Sequence, residues 1–496
     1  MPVDSRATTN RVDFILTLDV GSSSVRTLLY GFDGNEIPGF GSQIKYSPHT
    51  TEDGGWEIDP QQLTAQVART ITDICAQMRV KSIRPSAVAI DTFWHSIVGV
   101  GNGGKPATPI LHPFDSRSAG AAAELAKRID NLGQHARTGC MLHSSYPPSK
   151  LFWLAQTQPE AFTAATRWMS AGGYLFLEFF GKPVVSTSMV SASGLWDQNR
   201  NTYDDELLAA LNMKREQFAD PNAMDAPSQS LLDPWRSQWP ELNGIPWYPS
   251  IGDGACDNVG SGCAIPGRWA LMVGTSGALR ATIEADHIDI PPGLFCYRID
   301  RKRFVVGGAL SNGGAVYAWM KRTLQLPDDA TIETQLASMT PGMHGLTILP
   351  LFAGERSTEW RSDVTGSIAG LRSGTTPIEI LHSALESVAL RFRNVYEIME
   401  KTYGAPNDLI GSGAALLRSG VWAQMMADTL GHSLRQCLEP EATSRGAALL
   451  ALERMGIKGR DARFGVSLQP DPSKKELYLA ALRSQRRLYR KLFEEN

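Results

Sequence analysis

The chain has 496 residues, a formal net charge of −3 and 42% hydrophobic residues. That length exceeds what one hydrophobic core usually organises and predicts two large domains. The near-neutral balance, with no basic stripe and no block of like charge, excludes nucleic acid as an expected partner, and even the apolar run Ser170–Phe180 is too short and interrupted to span a bilayer.

At the start, Met1–Arg6 carries no apolar signal-like stretch, and the six cysteines (Cys75, Cys140, Cys256, Cys263, Cys296, Cys437) show no paired metal spacing; a soluble protein of the reducing cytoplasm is expected. The apolar run Phe14–Leu18 then leads into Asp19-Val20-Gly21-Ser22-Ser23-Ser24-Val25-Arg26. This pattern predicts a strand that ends in a phosphate-binding turn. Gly21 lets the backbone bend, the hydroxyls of Ser22, Ser23 and Ser24 and the exposed amides can donate to phosphate oxygens, and Asp19 can hold the shell of a Mg2+ ion. Val25–Tyr30 reads as the returning strand.

Further strands are predicted at Ser86–Asp91 and Ser96–Val100, and amphipathic helices at Ala119–Ile129 and Pro377–Met399, which together make an α/β pattern. Gly99–Lys105 imitates a nucleotide loop, but Pro106 stands where a hydroxyl is required, and Asn102-Gly103 between apolar runs predicts a hairpin turn instead. Pro221–Pro249, rich in Pro, Ser, Trp and Asp, reads as irregular surface chain leading to the centre of the molecule. In Ile251–Gly262 a carboxylate, Asp253, sits between two glycines where a helix begins. It is either an N-cap or a group that takes the proton of an alcohol attacking the terminal phosphate of ATP; the local sequence divides these evenly and ranks Asp257 lower. The domain boundary is expected near Cys263–Arg268, giving domains 11–263 and 264–496.

Trp269–Arg280 repeats the strand, turn, strand unit around Gly274-Thr275-Ser276-Gly277, with Met272 in place of Asp19, so only the first turn can serve a metal. The last segment, Lys474–Phe493, is a basic amphipathic helix whose apolar face is expected to pack on the second domain.

Taken in order, these segments resemble the FGGY family of carbohydrate kinases over Phe14 to about Gly456. The first turn resembles the family's N-terminal phosphate segment, and Gly252-Asp253 followed by Gly260 resembles its catalytic aspartate segment. Phe114-Asp115-Ser116-Arg117 resembles a W-x-D-x-R-like stretch, and Gly354-Glu355-Arg356 and Gly411–Ser419 resemble C-terminal landmarks. The resemblance implies two actin-like (ribonuclease-H-like) ATPase domains with a central cleft, ATP and Mg2+ as cofactors, and Asp253 as catalytic base. It further implies Asp19 as metal ligand and a nucleotide site from Ser22, Ser23, Ser24, Arg26, Gly274, Thr275, Ser276, Gly313, Gly314, Gly413, Ala414 and Arg418. A sugar site is implied around Trp94, His95, His143 and Tyr146. Local strings such as Thr138–His143 and Gly307–Gly314 are most similar to gluconate kinases, for which His95, His143 or Lys150 are candidates to meet the substrate carboxylate. A pentulose or polyol kinase is the alternative, and a catalytically silent ATP-binding sugar sensor is a second, disfavoured by the retained Asp19 and Asp253. Ala414 stands where relatives commonly carry glycine and is expected to alter adenosine contacts slightly. Relatives often form homodimers, which makes a homodimer an expectation here.

Overall fold

The computed structural model describes residues 13–495; the reading of Met1–Arg6 and the outer limits at residues 11 and 496 lie outside them. The architecture is α/β and two-domain, built on a repeated sheet. In the first half, β1 (Phe14–Val20) pairs antiparallel with β2 (Ser24–Gly31), which pairs antiparallel with β3 (Glu36–Lys45). On its other side β1 runs parallel to β4 (Ala87–Thr92), and β4 runs parallel to the short β5 (Ile251–Gly252). The order is β5-β4-β1-β2-β3.

The second half repeats this. β6 (Arg268–Val273) pairs antiparallel with β7 (Gly277–Glu284), and β8 (Phe295–Arg298) and β9 (Arg303–Leu310) extend that side. β6 runs parallel to β10 (Asp408–Ser412), then β11 (Leu434–Cys437) follows in parallel and β12 (Phe464–Leu468) closes the edge antiparallel. Each sheet thus sends the carboxyl ends of parallel strands to one side, where ligands of open α/β sheets bind.

Alternation fixes what covers each face. Leu16, Leu18, Val88 and Ile90 share one apolar cluster with Leu63, Val67, Ile71 and Met78 of helix α1 (Pro60–Val80), each fully buried side chain contributing about 1.5–3 kcal/mol. Asp59 caps α1 by accepting the Gln62 N–H at 2.8 Å. The opposite face carries small residues, Ala87 and Ala89, because two helices lie close upon it: α2 (Asp253–Gly260) and, from the second half, α3 (Ala442–Arg454). These two helices touch backbone to backbone. A Cβ on Gly260 would lie 1.7 Å from Ala442 O, and one on Gly446 1.8 Å from Cys256 O. Gly260→Ala is therefore expected to destabilise the protein by about 1–3 kcal/mol or more, read from the urea midpoint, because backbone rather than a side-chain tip must give way.

The terminal helix α4 (Lys475–Phe493) buries Tyr478, Leu482, Gln485 and Tyr489 against the second half, as its apolar face predicts. Gly99–Lys105 is a turn, with Gly101 N–H donating to Lys105 O at 2.8 Å and Val100 bridging Pro106. The Pro221–Pro249 stretch departs from the surface-chain expectation: it is largely irregular, but Trp239 and Trp247 are wholly buried and pack on Phe179. Its polar residues masked those anchors. Buried His344 donates from Nε2 to Glu386 at 2.8 Å and accepts the Leu346 N–H at Nδ1 at 3.0 Å, so both ring nitrogens are engaged and the group staples a loop to the helix Pro377–Tyr403. All six cysteines are buried and unpaired, and no helix among the described residues is long and apolar enough to cross a membrane.

Candidate active site

Three carboxylates converge where the first sheet's parallel strands end. Asp19 is the one residue of β1 that is not fully buried, and the register sets it directly beside Asp91 of β4. Asp253 follows β5 as the first residue of α2; Gly252 occupies the N-cap position, and Asp253 Oδ1 accepts the Gly254 N–H at 2.8 Å. The two glycines around Asp253 make room for an indole. A Cβ on Gly252 would lie 1.8 Å from Trp94 Nε1, and one on Gly254 2.5 Å from the same ring and 3.2 Å from Arg280 Cζ. Arg280 of β7 is held there by Asp257, to which Nη1 donates at 2.9 Å.

Burial raises the pKa of Asp253, opposed chiefly by the charge of Arg280. Burial also raises Asp19 and, much further, Asp91, whose oxygens receive no ordinary donor and whose hydrogen-bonding neighbour is the Asp19 carboxylate. The cation nearest this pair, Arg26, is itself ion-paired with Glu441. Such a set of hard, under-compensated oxygens fits Mg2+. A carboxyl whose folded-state pKa is raised weakens the fold as pH climbs past its unfolded value. Asp91→Asn is accordingly expected to raise the apo protein's melting temperature at pH 7, with the gain shrinking toward pH 4, where both states hold the proton; thermal melts at the two pH values check this.

Two cavities meet at these groups. A cleft of about 570 Å3 is lined by Asp19, Arg26, Ser412, Gly413, Ala414 and Glu441 among others. A smaller cavity of about 190 Å3 is walled by Ser22, Trp94, His95, Phe114, Tyr297 and Arg356 among others. Asp253, Met272 and Arg280 line both. The smaller cavity is aromatic: Phe295 and Tyr297 stack at 4.5 Å, and Trp94 meets Tyr297 edge-on at 4.9 Å.

The groups that the sequence singled out fall into distinct places. In the first turn Gly21 N–H donates to Ser24 O at 2.9 Å and Tyr46 N–H donates to Ser23 O at 2.9 Å; Ser22 lines the smaller cavity. In the second turn Ser276 lines that cavity while Thr275 is exposed. Gly313 and Gly314 pack directly on the second turn. Their N–H groups donate to Thr275 O at 3.0 Å and Gly274 O at 2.7 Å, clasping the turn, and a Cβ on either would meet backbone carbonyl oxygen within 2.6 Å. Gly413, at φ 91°, and Ala414 line the cleft, whereas Arg418 is exposed and away from its lining.

Of the residues expected at a sugar site, Trp94 and His95 face the smaller cavity. Tyr146 stands behind them, its hydroxyl 2.5 Å from that of Tyr297 and its ring 4.8 Å from His95. His143 is further back, with Nδ1 3.1 Å from Ser145 Oγ and Nε2 3.0 Å from Ser362 Oγ. Lys150 is fully buried and donates to the backbone oxygens of Asp115 and Ser144. Sequence reasoning missed Asp91, Arg280, Tyr297 and the wall position of Arg356; the visible trace of Arg280 was a charge inside the otherwise apolar run of β7.

Comparison with known proteins agrees with this geometry. Residues 14–258 match the model of the N-terminal domain of the FGGY family of carbohydrate kinases, and residues 269–454 match that of its C-terminal domain. A gluconokinase of Bacillus licheniformis is 27% identical, with 89% of this chain and 88% of that protein covered. The crystal structures of a gluconate kinase and of a ligand-bound xylulose kinase, both from Lactobacillus acidophilus, each superpose with a TM-score of 0.89 at 23% identity, over 98% of this chain and 99% of theirs. The chain belongs to the FGGY family of carbohydrate kinases, enzymes that transfer phosphoryl groups to sugars.

Proposed function

We propose that this carbohydrate kinase uses ATP to phosphorylate a hydroxyl of a small sugar acid, with D-gluconate to 6-phosphogluconate as the best fit. The observation that carries the reading is the meeting of a nucleotide-sized cleft and a small aromatic cavity at Asp253, Arg280 and Met272. Asp253 accepts the hydrogen bond of the attacking hydroxyl and takes its proton as the oxygen bonds to the terminal phosphorus of ATP and the bond from that phosphorus to the bridging oxygen breaks, releasing ADP. Arg280 faces the same junction and answers charge on the transferring group. Asp19, backed by Asp91, would hold Mg2+, which when bound supplies charge neutralisation on the nucleotide phosphates. Ser22 and Ser276, which line the smaller cavity, would meet the terminal phosphate where it reaches the junction with that cavity, and the Trp94, Phe114 and Tyr297 walls exclude water. The acid-sugar assignment draws on the gluconokinase relatives and the gluconate kinase structure; the xylulose kinase structure keeps a pentulose as the second reading.

ADP release with Mg-ATP, measured over gluconate, other aldonates, xylulose, ribulose, glycerol and erythritol with the product checked by mass, tests it. Gluconate turnover with a product one phosphoryl group heavier supports the reading. Turnover of a pentulose or neutral polyol alone overturns it, and nucleotide binding without turnover of any sugar favours the silent sensor.

A further inference from the structure

Arg356 faces the smaller cavity with no carboxylate paired to it among the described residues. Its side chain makes one hydrogen bond, from Nη2 to Leu310 O at 2.9 Å. The acids that would ordinarily neutralise it are taken. Glu355, the preceding residue, is buried and accepts from Arg391, from Tyr489 Oη at 2.6 Å and from the Thr358 N–H at 3.3 Å. Asp257 is paired with Arg280. Asp253 is the one acidic residue that shares the cavity wall with Arg356, and its carboxylate has to stay available for the substrate proton.

Arg280 on the same wall is already paired with Asp257, and the three cations that the sequence singled out are unsuited. Burial pushes the pKa of both His95 and His143 down to about 3, so both are neutral; His95 Nδ1 is held by Ala192 O at 2.6 Å, and His143 does not reach the cavity. The Lys150 amine points into backbone oxygens behind the wall. A guanidinium with open donors, set among aromatic faces, is the arrangement that binds a carboxylate in a forked pair while rings pack the carbon chain.

We propose that Arg356 anchors the carboxylate of the substrate, so that the cavity selects acyclic polyhydroxy acids over neutral sugars, with a hydroxyl of the same molecule at Asp253. This rests on the acid-sugar reading above. The test compares wild type, Arg356→Gln and Arg356→Lys by equilibrium dialysis of labelled gluconate without nucleotide, by kinetics with five- and six-carbon aldonates and with neutral xylulose and sorbitol, and by ADP affinity. Arg356→Gln is expected to weaken gluconate binding by about 10²-fold or more, with ADP affinity changed less than about 2-fold. Arg356→Lys, which keeps the charge and loses the fork, is expected to fall between and gives the answer if the glutamine variant does not fold. Aldonate turnover by wild type that either variant leaves unchanged, or that falls only in proportion to turnover of neutral substrates, overturns the role of Arg356 and leaves the acid-sugar reading standing. A wild type that phosphorylates neutral sugars and no aldonate overturns both.

Discussion

Replacing Asp253 by asparagine is expected to lower kcat by about 10²–10⁴-fold while nucleotide affinity stays near wild type. The substitution is close to isosteric, and the amide oxygen can still accept the Gly254 N–H that Oδ1 now accepts at 2.8 Å, so the start of α2 and its seat under Trp94 are retained. What is lost is the basic oxygen. Stability should not suffer: burial raises the folded-state pKa of Asp253, so its ionised form costs stability at neutral pH and a neutral amide relieves that cost. The same shift gives a second signature. As pH falls through the raised pKa the base is protonated, so wild-type kcat/KM is expected to drop on the acid side at a pH above the ordinary aspartate range, and the residual activity of the variant should lack that limb. A variant that keeps more than about a tenth of wild-type kcat would mean that Asp253 only shapes the helix start and that water or another group takes the proton.

The elements legible in the sequence were those whose cause is local. An apolar run followed by Gly and hydroxyls announced both strand, turn, strand units at Asp19 and at Met272, and Gly-Asp-Gly marked Asp253 because a carboxylate there serves packing poorly. The terminal helix declared its buried face through Tyr478, Leu482, Gln485 and Tyr489, spaced for one side of a helix. The rest depended on register and on crossings between distant segments. Asp91 looked like the end of an ordinary strand, and only the parallel pairing of Ala87–Thr92 with Phe14–Val20 puts it against Asp19. Tyr297 and Arg356 reach the smaller cavity from the second half, so reading one domain for substrate groups left that wall unseen and limited the candidates to His95, His143 and Lys150, of which His143 and Lys150 make internal hydrogen bonds. The close approach of Gly313 and Gly314 to the backbone of Gly274–Ser276 likewise joins segments that are apart in the chain.

Arg280→Met is expected to lower kcat by about 10²–10³-fold, a loss comparable to removing one donor from a site that stabilises developing charge. Methionine keeps much of the side chain's bulk against Gly254 and removes the charge at the one place where both cavities share a wall. The ion pair with Asp257 matters because it holds the guanidinium at that wall, so Asp257→Asn should follow in the same direction with a smaller loss. Packing alone would also lower activity on mutation, but it would not produce the next two effects. The charge of Arg280 is the main influence opposing burial at Asp253, so removing it raises the Asp253 pKa further and moves the acid limb of kcat/KM to higher pH. Guanidinium ion added to Arg280→Ala should restore part of kcat, since the space left opens onto both cavities. An Arg280→Met enzyme with its acid limb unmoved and its loss confined to a higher KM for sugar would place Arg280 in substrate binding and leave the transferring phosphoryl group to the turns and the carboxylates.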